Sequence, residues 1–175
     1  MIEKGTFTDC IIKIGDEIIK AHRIILALNS EVFYKMFEQN GLNESQTGEL
    51  IITDTTSECF RAMLQFFYTK KIDKEILENN VFDIFAISHK YQVMPLKYEC
   101  ERLMSSKIDT ENIVKYCSII NLYDDTSTLE EACKSFFRIN IKNLLNSNEW
   151  KEIKNNYPKL AIQFLESNID DTHNK

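Results

Sequence analysis

The chain has 175 residues, 43% hydrophobic and 11% aromatic, enough to bury one sizeable core, or one core with a smaller helical extension. Its 21 Lys and Arg against 27 Asp and Glu leave a net charge of −6, which removes the electrostatic case for nucleic-acid binding. Four scattered glycines and two prolines exclude a turn-rich all-β protein, a collagen-like segment and a glycine-rich phosphate loop.

Residues 7–14, FTDCIIKI, place apolar groups on both faces of an extended chain and predict a largely buried strand. Gly15-Asp16 supplies a tight hairpin into a second strand over Glu17–Lys20. Asp9 is the exception, because a carboxylate on so apolar a strand is costly unless a cation or several donors reach it; Arg23 is the nearest candidate. Ala21-His22-Arg23 then leads into a short helix carrying Ile24, Ile25, Leu26 and Leu28. It is apolar on too many sides for a lone amphipathic helix, so it is expected to be buried all round, under other elements or against another chain. Asn29-Ser30 restarts a helix with Val32, Phe33, Met36 and Phe37. The polar interval that follows, EQNGLNESQTGE, has Leu42 as its only large apolar residue and reads as a loop.

Leu50–Thr53 is a third short strand, and Asp54-Thr55-Thr56 caps a helix carrying Phe60, Met63, Leu64, Phe67 and Tyr68, with Lys70 and Lys71 at its end. From Glu78 the pattern is helical: Val81, Ile84, Phe85 and Ser88 share a face, as do Leu96, Cys100, Leu103 and Met104, with Pro95 separating the two helices. Asp109-Thr110-Glu111 begins a helix with Ile113, Tyr116, Cys117 and Ile120; residues 124–128 begin the next, with Leu129, Ala132, Cys133, Phe136 and Phe137. A last helical stretch runs from about Trp150 to Ile169, broken near Asn155-Asn156 and Pro158. Strands early and helices late predict an α+β domain over residues 1–107, a helical extension over 108–169, and a polar, disordered tail over 170–175.

Cys10, Cys59, Cys100, Cys117 and Cys133 are odd in number and sit among apolar residues, as small buried hydrophobes in a reducing compartment do. The first ten residues lack the apolar core of a signal peptide and no run suits a membrane span, so a cytosolic or nuclear protein is expected. His22 and His89 have no metal-spaced partner and no C-x-x-C or H-E-x-x-H occurs, so no catalytic, metal or cofactor residues are assigned and no enzyme is expected.

Phe7-Thr8-Asp9-Cys10, Ala21-His22-Arg23 with its Ile/Leu/Ala run, Ser30-Glu31-Val32-Phe33 and Met36-Phe37 closely resemble the core signature of BTB/POZ domains. Phe60, Phe66-Phe67-Tyr68-Thr69-Lys70 and Lys90-Tyr91 continue the match. Glu111-Asn112, Trp150-Lys151 and Tyr157-Pro158 resemble the three-box helices and partial BACK region of the MATH-BTB, speckle-type POZ protein-like family. The resemblance implies a BTB/POZ fold, a short three-stranded sheet flanked by helices, followed by the helical extension. It also implies a non-catalytic homodimeric adaptor that binds the N-terminal domain of a cullin scaffold in a cullin-RING ubiquitin ligase.

On the same footing, the implied cullin-binding residues are Phe37, Leu42 and Glu44, with Ile113 and Tyr116 from the three-box helix. Leu42 would be a small apolar anchor and Glu44 a neighbouring acceptor. The implied dimer interface comprises Phe7, Asp9, Arg23, Ile24, Ile25 and Leu28, with Asp9 and Arg23 as a buried structural pair. Three departures stand beside it. Relatives carry an N-terminal helix across the dimer where only Met1–Thr6 precede the first strand here; no MATH domain accompanies the BTB region; and Ile139 replaces a tyrosine of BACK self-association. The first two favour a second expectation, an oligomerisation module that pairs with or blocks full-length MATH-BTB chains without engaging a ligase.

Overall fold

The computed structural model describes residues 5–38, 46–123 and 125–170. Strand β1 (Cys10–Ile14) turns through Gly15, whose φ of +57° favours glycine, into antiparallel β2 (Glu17–Ala21). Strand β3 (Glu49–Ile52) lies parallel to β1 on its other side, giving the order β2-β1-β3. Cys10, Ile12, Ile14, Ile19, Ala21, Leu50 and Ile52 form the buried face. The first strand starts three residues later than the alternation predicts: Phe7 has a φ of +58°, outside any strand conformation.

Gly48 feeds β3 through a very close approach. It is buried at φ +71°, and a Cβ there would lie 2.7 Å from the Asp9 carbonyl oxygen and 2.9 Å from Arg23 Nη2. Its own carbonyl accepts from the Ile11 N–H at 2.8 Å, so the same residue opens the β1–β3 pairing.

Two compact units, residues 1–100 and 101–175, divide inside helix α6. The first unit also contains α1 (Arg23–Asn29), α2 (Glu31–Glu38), α3 (Ser57–Thr69), α4 (Lys74–Asn79), α5 (Val81–Lys90) and the start of α6 (Met94–Ser106). Phe33 of α2 stacks on Tyr91 at 4.6 Å between ring centres, and Phe60 and Phe67 meet Phe33 edge-on at 6.3 and 6.5 Å. Ser30, between α1 and α2, donates to the Tyr91 carbonyl at 2.6 Å and accepts from the Phe33 N–H at 3.2 Å. Thr56 caps α3 by accepting from the Cys59 N–H, and Lys70 closes it in the left-handed conformation.

Two expectations are corrected in this unit. Helix α4 begins before Glu78, with Asp73 as its cap accepting from the Ile76 N–H at 3.0 Å. Pro95 does not separate helices; it sits in the first turn of α6, where its missing N–H costs nothing, and the break falls upstream at Gln92, φ +52°.

The second unit contains α7 (Ile113–Leu122), α8 (Ser127–Leu144), α9 (Asn148–Asn156) and α10 (Pro158–Asp170). Phe137 of α8 packs against Trp150 of α9 at 4.6 Å and Phe164 of α10 at 5.6 Å. Buried Glu101 accepts from the Leu129 N–H at 2.9 Å, capping α8 from another helix. Helix α10 runs through Asp170, the first residue of the expected tail; residues 171–175 lie outside the described residues.

The five cysteines are free and buried. Burial pushes the Cys10 thiol up to about 11 and that of Cys117 up to about 12, and raises those of Cys59, Cys100 and Cys133. All five are protonated packing groups near neutral pH.

Two tests follow from these contacts. Gly48→Ala combines a left-handed backbone with overlap onto Asp9 and Arg23, and should lower stability by about 1–3 kcal/mol, read as a lower urea midpoint at unchanged slope. Above the ordinary thiol value of 9.0 the unfolded chain releases protons that folded Cys10 and Cys117 still hold. That contribution is intact below pH 9 and is lost as pH rises toward 11 to 12, by up to about 1.4 kcal/mol per pH unit per thiol. Urea titrations between pH 8 and 10.5 should show the decline, and Cys117→Ala should flatten it.

Candidate protein-interaction surface

Helix α1 has seven residues and relies on outside groups for its start. The Arg23 N–H donates to Asp9 Oδ1 at 2.8 Å, so a residue preceding β1 supplies the cap that His22 does not. The His22 ring is a clasp instead: Nε2 lies 3.0 Å from the Thr6 carbonyl and Nδ1 2.6 Å from the Tyr68 hydroxyl, which also accepts from the His22 N–H at 3.2 Å. With Nε2–H donating to Thr6, Nδ1 accepts the Tyr68 proton, and every polar group of the clasp is satisfied. Burial raises the Tyr68 phenol, in keeping with this protonated role.

Held in this way, α1 turns only Leu26 fully inward. Ile24 and Leu28, one helical turn apart, are 61% and 74% exposed, and Phe7, carried next to the anchored Thr6, is 91% exposed. Ile25 is half-buried. The helix is therefore not buried all round by its own unit, because its inward-facing side is too narrow to cover Ile24 and Leu28.

Asp9 is exposed, not buried as expected, since it lies before the strand proper and works as a cap. Arg23 is half-buried, and its guanidinium lies 5.3 Å above the ring of Phe37, itself half-buried at the end of α2. Leu42 and Glu44 lie outside the described residues. Ile113 and Tyr116, expected on a docking surface, are buried: with Cys117 they form the inward stripe of α7, and their side chains are not presented. Ile139 is exposed on α8.

Sequence reasoning missed Ile18 and Ile51, exposed on the outer face of the sheet. The signal was present in Ile18-Ile19 and Leu50-Ile51-Ile52, since consecutive apolar residues in a strand leave one on each face.

Among the described residues no group of three or more His, Cys, Asp or Glu could hold a metal ion, and no helix is long and apolar enough to cross a membrane. What the surface offers is apolar contact area beside charged groups, the material of recognition.

The BTB/POZ domain family model matches residues 1–108. The chain is 36% identical over 170 residues to BTB and MATH domain-containing protein 42 of Caenorhabditis elegans, covering 95% of this chain and 40% of that protein. It is 28% identical over 165 residues to the mouse TD and POZ domain-containing protein 3, covering 94% and 45%. The chain thus spans less than half the length of these two relatives. The BTB domain of zebrafish PATZ1 superposes with a TM-score of 0.52 at 25% identity, over 60% of this chain and 81% of that one. The hairpin with its parallel third strand, the flanking helices and the match over residues 1–108 agree: this chain belongs to the BTB/POZ domain family, a family of protein-interaction modules.

Proposed function

We propose that the chain is a dimeric adaptor that binds the N-terminal domain of a cullin scaffold, within the substrate-receptor arm of a cullin-RING ubiquitin ligase. The observation that carries the dimer is the exposure of Ile24 and Leu28 on α1 with Phe7 beside the His22 clasp. Large apolar side chains so placed find cover in an isologous contact, in which each copy offers the same helix. For the cullin arm the support is the Leu42-Asn43-Glu44 motif, which follows α2 and Phe37 in the sequence, together with relatives named BTB and MATH domain-containing proteins. Residues 108–169 are read as the three-box and partial BACK extension, with Phe137, Trp150 and Phe164 as its core. Five protonated, unpaired thiols suit the reducing cytosol or nucleus. The mechanism is proximity: a dimer presents two scaffold sites and raises the effective concentration of whatever a partner brings.

The second reading is an oligomerisation module that pairs with or blocks full-length MATH-BTB chains. The same α1 face favours it, because it asks only for another BTB chain.

At low micromolar concentration, Leu28→Lys should give a folded monomer, with an unchanged circular dichroism spectrum and half the wild-type mass by sedimentation equilibrium; a dimer that persists there removes α1 from the interface. In pull-down with a cullin N-terminal domain, the Leu42→Asp/Glu44→Lys variant should lose retention by tenfold or more, on the order of 1.4 kcal/mol. Equal retention of wild type and variant removes the loop from docking. A wild-type chain that co-assembles with a full-length MATH-BTB protein yet ignores the cullin selects the second reading.

A further inference from the structure

The outer face of the sheet presents two cross-strand rows. One reads Ile18, Lys13, Ile51 across β2, β1 and β3; the next reads Lys20, Ile11, Glu49. Ile18 is 60% and Ile51 73% exposed, and Ile11 is half-buried between strands on either side. Lys13 and Glu49 pair at 2.8 Å with both side chains partly exposed. Among the described residues this apolar strip is left exposed, on a different element from the α1 face.

The order of charges decides what can cover it. Turn a second copy over about an axis parallel to the strands and passing above β1, so that its β2 lies over β3 of the first. Lys20 then faces the second copy's Glu49, and Glu49 faces its Lys20. Ile18 and Ile51 exchange places in the same manner, and Ile11 meets its own counterpart on the axis. The only like-charge meeting is Lys13 with Lys13, each already beside its own Glu49. Aligned sheet-on-sheet packing keeps strands within about 30° of one another, which this operation allows. We propose that the outer face of the sheet is a self-complementary contact between two copies of this chain, separate from the α1 face.

The contact is weak by area. Three strands about 4.8 Å apart and four or five residues long offer about 200–300 Å² per copy, below the ~1,000 Å² total of a stable interface. Its role is therefore to join copies already brought together. A chain with one isologous face at α1 and another on the sheet can propagate in a row, because two different two-fold contacts do not close on a single pair. The sheet contact itself stands whether or not α1 associates.

The test uses the full chain carrying Leu28→Lys, which removes any α1 contribution, and follows sedimentation velocity up to millimolar concentration. Self-association should appear with a dissociation constant on the order of 0.1–1 mM and weaken with salt. Lys20→Glu alone puts acid against acid at both ends of the row, and Glu49→Lys alone puts base against base; each should weaken association roughly tenfold. Mixing the two variants restores opposite charges at both ends and should bring association back, as mixed pairs. Circular dichroism melts confirm that each variant is folded, and Ile51→Glu, which keeps both charged partners, gives a second reading of the face. A chain that stays monomeric throughout overturns the proposal, as does self-association indifferent to the charge variants and their mixture. Binding of an added acidic peptide in the place of self-association assigns the face to another occupant and overturns it as well.

Discussion

The stacking of Phe33 on Tyr91 is the contact on which the first unit depends. The rings lie 4.6 Å apart and nearly parallel, with Phe60 edge-on to both and Phe67 edge-on to Phe33. Such pairs add about 0.5–1.5 kcal/mol beyond the area they bury, but their larger effect is positional. Ser30 bonds to the Tyr91 carbonyl and to the Phe33 N–H, so the joint between α1 and α2 is fixed against the far end of α5. With α1 held at this joint, Leu26 goes inward, and Ile24 and Leu28 face out. The exposed patch is a product of the core beneath it.

Much of this was legible in the residues. The Gly15-Asp16 turn, the alternation of Cys10, Ile12 and Ile14, the Thr56 cap and the paired helical stripes after residue 78 are local signals, and each marks the element it predicts. What local rules could not supply were groups that act across the chain. Helix α1 is capped by Asp9 from before β1, and α8 by Glu101 from α6, so neither cap stands next to the helix it serves. Judged from its strand alone, Asp9 is a buried charge in need of a cation; in the fold it is an exposed acceptor of a backbone N–H. Helix α4 was legible in principle, since Asp73 followed by Glu75 is a cap with an acidic first turn, but six residues give too little periodicity to weigh.

The candidate site was legible in identity more than in orientation. Composition put Ile24, Ile25 and Leu28 on one short helix and required cover for them; only the packing says that Ile25 is partly covered while its neighbours are not. The same limit applies to Ile113 and Tyr116, whose spacing fits a presented stripe or a buried one equally, and the second unit buries them. A stripe of apolar residues states that a face exists and leaves its direction to the rest of the fold.

The parallel pairing of β3 with β1 joins parts of the chain far apart in sequence. The β1–β2 hairpin and the α1–α2 joint close over short stretches, whereas Lys13 and Glu49 stand 36 positions apart and meet only after the intervening chain has been laid down. β3 thus carries the larger loop-closure cost and is held by one neighbour, with Gly48 passing close to Asp9 and Arg23 to admit it. A short strand paired on one side only is among the elements that open locally at low cost. Release of Glu49–Ile52 would open the unpaired edge of β1 beside Ile12, turning a folded domain into a template for the wrong strand.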